Sequence, residues 1–284
     1  MRTINNTNYN TNELYNIEKL EQKYLEKYFY FLKYTLDEIL LGFETKNKIK
    51  KDWEGQWLKE LREDQKKGIS DFAVGAERII YALINGKGIG QPNSAPIGSD
   101  LFFEVQDAFI HIDLKTVQID NIGDYTKNIF VGNNQNSYKT TVKVGGKEKE
   151  YQEASLPHFY TLEENANVTL KPCLTYFITI LYEAIDLRIL NINLLNMPNG
   201  KLESVYGGSI LQAGKIDYPE GDDRRGKYTR TIRYRWTECT EYQLLGDNKK
   251  RYMPIYYDHD LVTELFNEDR ISKSAKNKLE KFFN

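Results

Sequence analysis

Residues 98–118 read GSDLFFEVQDAFIHIDLKTVQ. The runs LFFEV (101–105) and FIHIDLKTV (109–117) are rich in β-branched and aromatic residues and flank Gln106-Asp107, which predicts a β-hairpin. Successive side chains of a strand leave opposite faces, so Ile112 and Leu114 share one face of the second strand while Asp113 and Lys115 share the other. The stretch before it, GKGIGQPNSAPIGS (86–99), is a Gly/Pro loop that must join a helix to the first strand. It is not a phosphate-binding P-loop, because no Ser or Thr follows its Gly-Lys and no strand precedes it.

Outward from the hairpin, residues 71–85 have helical spacing, with Phe72, Gly75, Ile79, Ile80 and Leu83 on the packing side and Glu77 among them. Residues 12–43 carry Leu14, Ile17, Leu20, Tyr24, Tyr28, Leu32, Leu36 and Ile39 and predict one long amphipathic helix. The charged segment 46–68 holds a narrow stripe of Trp53, Trp57 and Leu61 and reads as a solvated helix. Downstream, residues 119–170 show weak periodicity and read as loops and short surface elements. CLTYFITILYEAI (173–185) and LRILNINLLN (187–196) read as two core strands meeting at a turn near Ile185-Asp186. TRTIRYRWT (229–237) alternates strictly, as one strand, and the chain from Asp260 ends in a charged helix bearing Leu261, Leu265, Ile271 and Leu279. Helices, then a mixed sheet, then helix predict an α/β fold, a mixed central β-sheet flanked by helices. The expected division is a helical N-terminal region, 1–66, acting as a dimer or DNA-contacting layer, and a core, 67–284, with a recognition strand region at 205–256.

The charge balance limits the partners. With 39 basic and 41 acidic residues the net charge is -2, so no strongly basic arm or acidic tail governs binding and any polyanion site must be local. A hydrophobic content of 40%, with 21 Tyr and 13 Phe, excludes disorder for the bulk of the chain. Cys173 and Cys239 are the only cysteines and read as reduced packing residues, with no disulfide framework. His111, His158 and His259 form no ligand pair at metal spacing. No run approaches a membrane span, and the polar start MRTINNTNYNTN is no leader sequence, so a cytoplasmic protein without a membrane partner is expected.

The chemistry concentrates at the hairpin. Asp100 follows the Gly98-Ser99 turn at the entry to the first strand, and a hairpin can set it beside Asp113. Two close carboxylates repel unless a cation lies between them, which calls either for a shifted pKa or for a hard metal such as Mg2+, held by Asp100, Asp113 and the Leu114 carbonyl. Lys115 beside that metal can orient and acidify a water, or offset charge building on a phosphate. Asp-x-Lys is also common on the solvated face of an amphipathic strand. Taken alone, Glu77 reads as a salt-bridge partner of Arg78 or Lys87 before it reads as catalytic, and Glu104 as a surface residue of the hairpin.

Glu77 on a helix, then Pro96-Ile97-Gly98-Ser99-Asp100, then Asp113-Leu114-Lys115-Thr116-Val117 in a hairpin strand resemble the nuclease core of the PD-(D/E)XK superfamily. The resemblance narrows to its BglI-like type II restriction endonucleases. Gly123-Asp124-Tyr125 through Asn133-Asn134-Gln135 is similar as well, as are Asp222-Asp223-Arg224 and Arg233-Tyr234-Arg235, which that family uses to read bases. The likeness covers about residues 70–240. It departs at Gly221, where the family has a base-reading Lys, and in residues 12–66, which have no counterpart.

The resemblance implies a Mg2+-dependent, sequence-specific double-strand DNA endonuclease acting as a homodimer. Asp100, Asp113, Lys115 and Glu77 would then be catalytic and Asp223, Arg224, Arg233 and Arg235 would read DNA. A cognate DNA methyltransferase would share the cell. From the residues themselves, Arg can read guanine bidentately and Asp can accept from cytosine, which points to a GC-containing half-site; the resemblance implies two such half-sites on either side of an unread spacer. The same arginines would also suit an edge strand guarded by positive charge. A repair or junction nuclease, and a DNA-binding module with an inert Asp-x-Lys face, are the competing readings.

Overall fold

The computed structural model describes residues 11–52, 71–86, 91–92, 101–144, 147–151, 154–164, 167–213, 232–246 and 248–283. The first helices are α1 (Thr11–Tyr34), α2 (Leu36–Asp52) and α3 (Asp71–Gly86). The strands are β1 (Gln91–Pro92), β2 (Leu101–Glu104), β3 (Phe109–Gln118), β4 (Ile129–Val131), β5 (Thr140–Val144), β6 (Lys147–Tyr151), β7 (Phe159–Glu164), β8 (Asn167–Tyr182), β9 (Ile189–Met197), β10 (Leu211–Ala213), β11 (Ile232–Tyr234) and β12 (Tyr252–Tyr257). Helices α4 (His259–Asn267) and α5 (Lys273–Phe283) follow.

The principal sheet runs β1-β2-β3-β8-β9-β12, with β7 added beside the first part of β8. Its pairs are antiparallel except β3 with β8, which run parallel. The sheet is therefore mixed, as expected, and the hairpin at Gln106-Asp107 forms with Leu101 opposite Ile112. Both faces of β8 and β9 are covered. On one side Tyr176, Ile178, Ile180 and Tyr182 join Ile110 and Ile112 beneath α1, α2 and α3. On the other, Phe177 packs with Leu195 and Met197 under a second sheet, β10-β11-β4, and Leu181 packs with α4 and α5. Burial on both sides accounts for the near-continuous apolar runs of these strands.

Several expectations need correction. The helix expected over 12–43 is two helices, broken at Thr35. The Thr35 hydroxyl donates to the Phe31 carbonyl at 2.9 Å, and its own N–H donates to the same oxygen at 3.1 Å. Tyr24, Leu25, Tyr28 and Leu32 of α1 and Ile39 and Phe43 of α2 enter one core with the sheet. Gly42 serves the same packing, since a Cβ there would stand 3.0 Å from Ile79 of α3. The boundary at residue 66, and Trp53, Trp57 and Leu61, lie outside the described residues.

Residues 119–170 hold strands β4, β5, β6, β7 and the start of β8 rather than loops. The alternating strand expected over 229–237 ends earlier than its pattern, because regular pairing stops at Tyr234 and a 3-10 turn begins at Trp236, while residues 229–231 lie outside the described residues. The C-terminal helix is also two, separated by Asp269 at φ 56. Asp258 caps the first, its carboxylate accepting from the Leu261 N–H at 2.8 Å, and Ser272 accepts from Ala275 to open the second. Cys173 and Cys239 are free and buried, and burial pushes the Cys239 thiol up to about 12. Among the described residues no helix is long and apolar enough to cross a membrane.

Candidate active site and DNA-reading face

β3 delivers Asp113 and Lys115 to the same face, where the side chain of Asp113 is 2% exposed and that of Lys115 20%. The ammonium pairs with the Asp113 carboxylate through Oδ2 and lies 5.8 Å from the ring of Phe177, the β8 residue in register with Asp113. A carboxylate this deep requires partners, since an uncompensated buried charge is costly. Two partners are Lys115 and Gln135.

Gln135 belongs to the Asn-Gln stretch, residues 133–136, that carries part of the resemblance and offers an alternative element for reading bases. Its Nε2 donates to Asp113 Oδ1 at 2.7 Å, while its Oε1 accepts from Lys115 Nζ at 2.9 Å and from the Gly132 N–H at 2.7 Å. The turn that presents it, Asn133–Gln135, is fixed from several sides. Asn136 Nδ2 donates to the Gly132 carbonyl at 3.1 Å, and the Ser155 N–H donates to the Asn133 carbonyl at 2.7 Å. A turn whose pairing partners are distant in sequence leaves no periodic signal.

The other expected site residues separate into three groups. Asp100, Asp223 and Arg224 lie outside the described residues. Glu77 is half-buried on α3, whose apolar residues Phe72, Ala76, Ile80 and Ile84 pack with Ile110 and Ile112 on the reverse face of β3. Leu114 also packs against that core. Among the described residues no three His, Cys, Asp or Glu groups gather as a metal cluster.

Arg233 and Arg235 are described. Ile232 and Tyr234 of β11 are buried in one core with Phe177, so the small sheet lies over the face of the main sheet that carries Asp113. The Tyr234 hydroxyl donates to the Asn196 carbonyl at 3.1 Å, and Trp236 Nε1 donates to the Tyr125 carbonyl at 3.1 Å. Arg233 leaves the opposite side of β11. Its guanidinium pairs with Asp124 and stacks 4.1 Å from the ring of Phe130, its neighbour across β4. Arg235 lies just past the strand, paired with Glu238 at 2.6 Å and donating to the Ser209 carbonyl at 3.3 Å. Sequence alternation found the buried face of this strand, but the acid that holds Arg233 comes from elsewhere in the chain.

Comparison with known proteins agrees with this geometry. Of solved structures, the restriction endonuclease BglI bound to its DNA recognition sequence superposes with a TM-score of 0.61 at 16% identity, covering 88% of this chain and 95% of that one. Tetrameric restriction endonuclease SfiI bound to cognate DNA gives 0.58 at 14% identity, covering 87% of each chain. At such identities the likeness is one of fold. No curated protein sequence matches the chain. The N-terminal domain model of the type II restriction enzyme MwoI matches residues 13–186, across the hairpin and Gln135, and the central domain model of the same enzyme matches residues 189–257, across β11. With both domains present in order over most of its length, the chain belongs to the MwoI family of type II restriction enzymes.

Proposed function

We propose that this site-specific endonuclease is Mg2+-dependent, that Asp113 and Lys115 serve phosphodiester hydrolysis, and that a homodimer reads GC-containing half-sites on either side of an unread spacer. The observation that carries the reading is the pair of buried Asp113 and half-buried Lys115 on a sheet face overlaid by the layer that presents Arg233. The Asp113 carboxylate and the Leu114 carbonyl are hard oxygen donors of the kind Mg2+ takes, and Asp100 would complete the set. When bound, Mg2+ supplies Lewis-acid polarisation of a phosphoryl oxygen and acidifies a coordinated water. Lys115 is held at the carboxylate edge, where its ammonium offsets charge developing on the phosphate. Arg233 carries a planar fork, which must leave Asp124 to reach DNA, on a strand whose other face is fixed in the core, a geometry suited to guanine O6 and N7. A cell carrying this enzyme needs a methyltransferase of the same specificity.

A plasmid digest with Mg2+, and again with EDTA, tests the reading. Discrete fragments with Mg2+ alone, whose sequenced ends share a two-fold symmetric, interrupted site, are the expected result. Preference for branched DNA would replace it with a junction nuclease. Retained binding without cutting would make the Asp113–Lys115 face inert.

A further inference from the structure

We infer that Gln135 is a positioning residue that sets the Asp113–Lys115 pair for reaction and ties it to the strand that reads DNA. The inference rests on the catalytic reading of that pair. One amide side chain touches both members. Its NH2 group donates to Asp113 Oδ1, which leaves Oδ2 toward Lys115, and its oxygen accepts from Lys115 Nζ. The amide cannot rotate without cost, because the Gly132 N–H also donates to that oxygen. Gly132 directly follows β4, and β4 pairs with β11 so that Phe130 faces Arg233. The path from the guanidinium of Arg233 to the ammonium of Lys115 is thus one strand pair, one glycine and one amide. A strand pair is stiff, so a shift of β11 on a wrong sequence would carry Gln135 with it.

The two ends of the amide can be tested separately. Gln135→Met keeps the length and removes every hydrogen bond. Gln135→Glu keeps the acceptor for Gly132 and Lys115 but sets a carboxylate oxygen against Asp113. A group that only stabilises the turn would tolerate Gln135→Glu, whereas a positioning group would not. Both variants are expected to lose about 10–100-fold in kcat on cognate DNA, as sub-ångström misplacement of reacting groups does. KM and DNA affinity in Ca2+ should stay near wild type, the split that marks loss of a transition-state interaction, and the melting temperature should fall only slightly, since Asp113 keeps Lys115 as a partner. A second measurement needs no turnover. Reductive methylation of Lys115, read by peptide mass spectrometry, should rise in Gln135→Met as the ammonium loses its tether. Near wild-type kcat in Gln135→Glu, or unchanged Lys115 reactivity in Gln135→Met, overturns the inference. A fall in melting temperature matching the rate loss would also overturn it, by making the role structural. If the wild-type chain cuts no DNA, the catalytic reading fails, and the Lys115 reactivity still decides whether Gln135 holds the ammonium.

Discussion

Asp113 and Lys115 sit two residues apart on β3, so their roles separate by substitution without disturbing the strand. Asp113→Ala is expected to abolish cleavage and leave DNA binding in Ca2+ largely intact, measured by gel shift beside a digest. Loss of binding together with folding would mark the carboxylate as structural. Lys115→Ala should slow cleavage by several orders of magnitude at unchanged affinity, and Lys115→Arg should recover little, because a planar fork cannot occupy the place of a compact ammonium. Near-normal turnover in either variant removes Lys115 from the mechanism. Two residues upstream, His111 is fully buried against Phe102 and Tyr160, and burial lowers its pKa from 6.5 to about 3. Between those values the unfolded chain binds a proton that the native one does not, so stability rises with pH there. The contribution is complete above 6.5 and is lost on acidification, at up to about 1.4 kcal/mol per pH unit. Urea unfolding in EDTA should show His111→Phe losing less stability than wild type between pH 6.5 and 4.5. Parallel pH profiles would mean that the imidazole is protonated without unfolding.

At the scale of elements, β11 is where the alternating pattern and the structure meet and then part. Ile232, Tyr234 and Trp236 are all buried, as their spacing predicted, but the strand stops at Tyr234. Pairing stops there because Tyr234 lies opposite the first residue of each partner strand, Leu211 of β10 and Ile129 of β4. Arg233 is therefore held by strand pairing, Asp124 and Phe130, while Arg235 projects from the turn beyond. Arg233→Ala should cost about 1–3 kcal/mol in cognate binding and relax selectivity at one symmetric pair of positions. The check is affinity for a panel of single-substituted sites at fixed salt. Equal weakening on every sequence would show that Arg233 touches phosphate only. The β2-β3 hairpin was legible because its turn and both its strands are contiguous. The pairing of the small sheet was not, since β4 and β11 are separated by about a hundred residues and the alternation of β11 does not name its neighbours.

At the scale of the molecule, α1 is fastened to the sheet by charge as well as by its apolar stripe. Arg251 is buried with Glu18 and Glu21 of α1, pairing with Glu21 at 2.8 Å and with Glu18 at 3.3 Å. Its guanidinium lies between the rings of Tyr206 and Tyr242, at 4.5 and 4.3 Å, and donates to Asn196 of β9. The Glu18 carboxylate accepts from the Leu244 N–H at 2.7 Å, and that of Glu21 from the Asn199 N–H at 2.7 Å. Burial raises Glu21 to about 7, with Arg251 pulling it back. Arg251→Met leaves both carboxylates buried without their cation and should cost about 3–5 kcal/mol in urea unfolding. Adding Glu21→Met should recover part of that loss. A change below about 1 kcal/mol would mean that water reaches the cluster and carries the charges.

The sequence by itself determined the α/β class, the hairpin, the shared face of Asp113 and Lys115, and the two buried strands β8 and β9. Each of these follows from side-chain periodicity within one contiguous segment, and that periodicity is a property of the backbone geometry alone. Only the tertiary structure decided the partners of Arg233, the burial of Glu18 and Glu21 on a helix face, and the place of Gln135 between Asp113 and Lys115. These depend on groups brought together from segments 20 to 233 residues apart. A polar residue on a helix or turn carries the same local pattern whether water or a buried partner satisfies it, and which of the two it meets is settled by the packing of the whole chain.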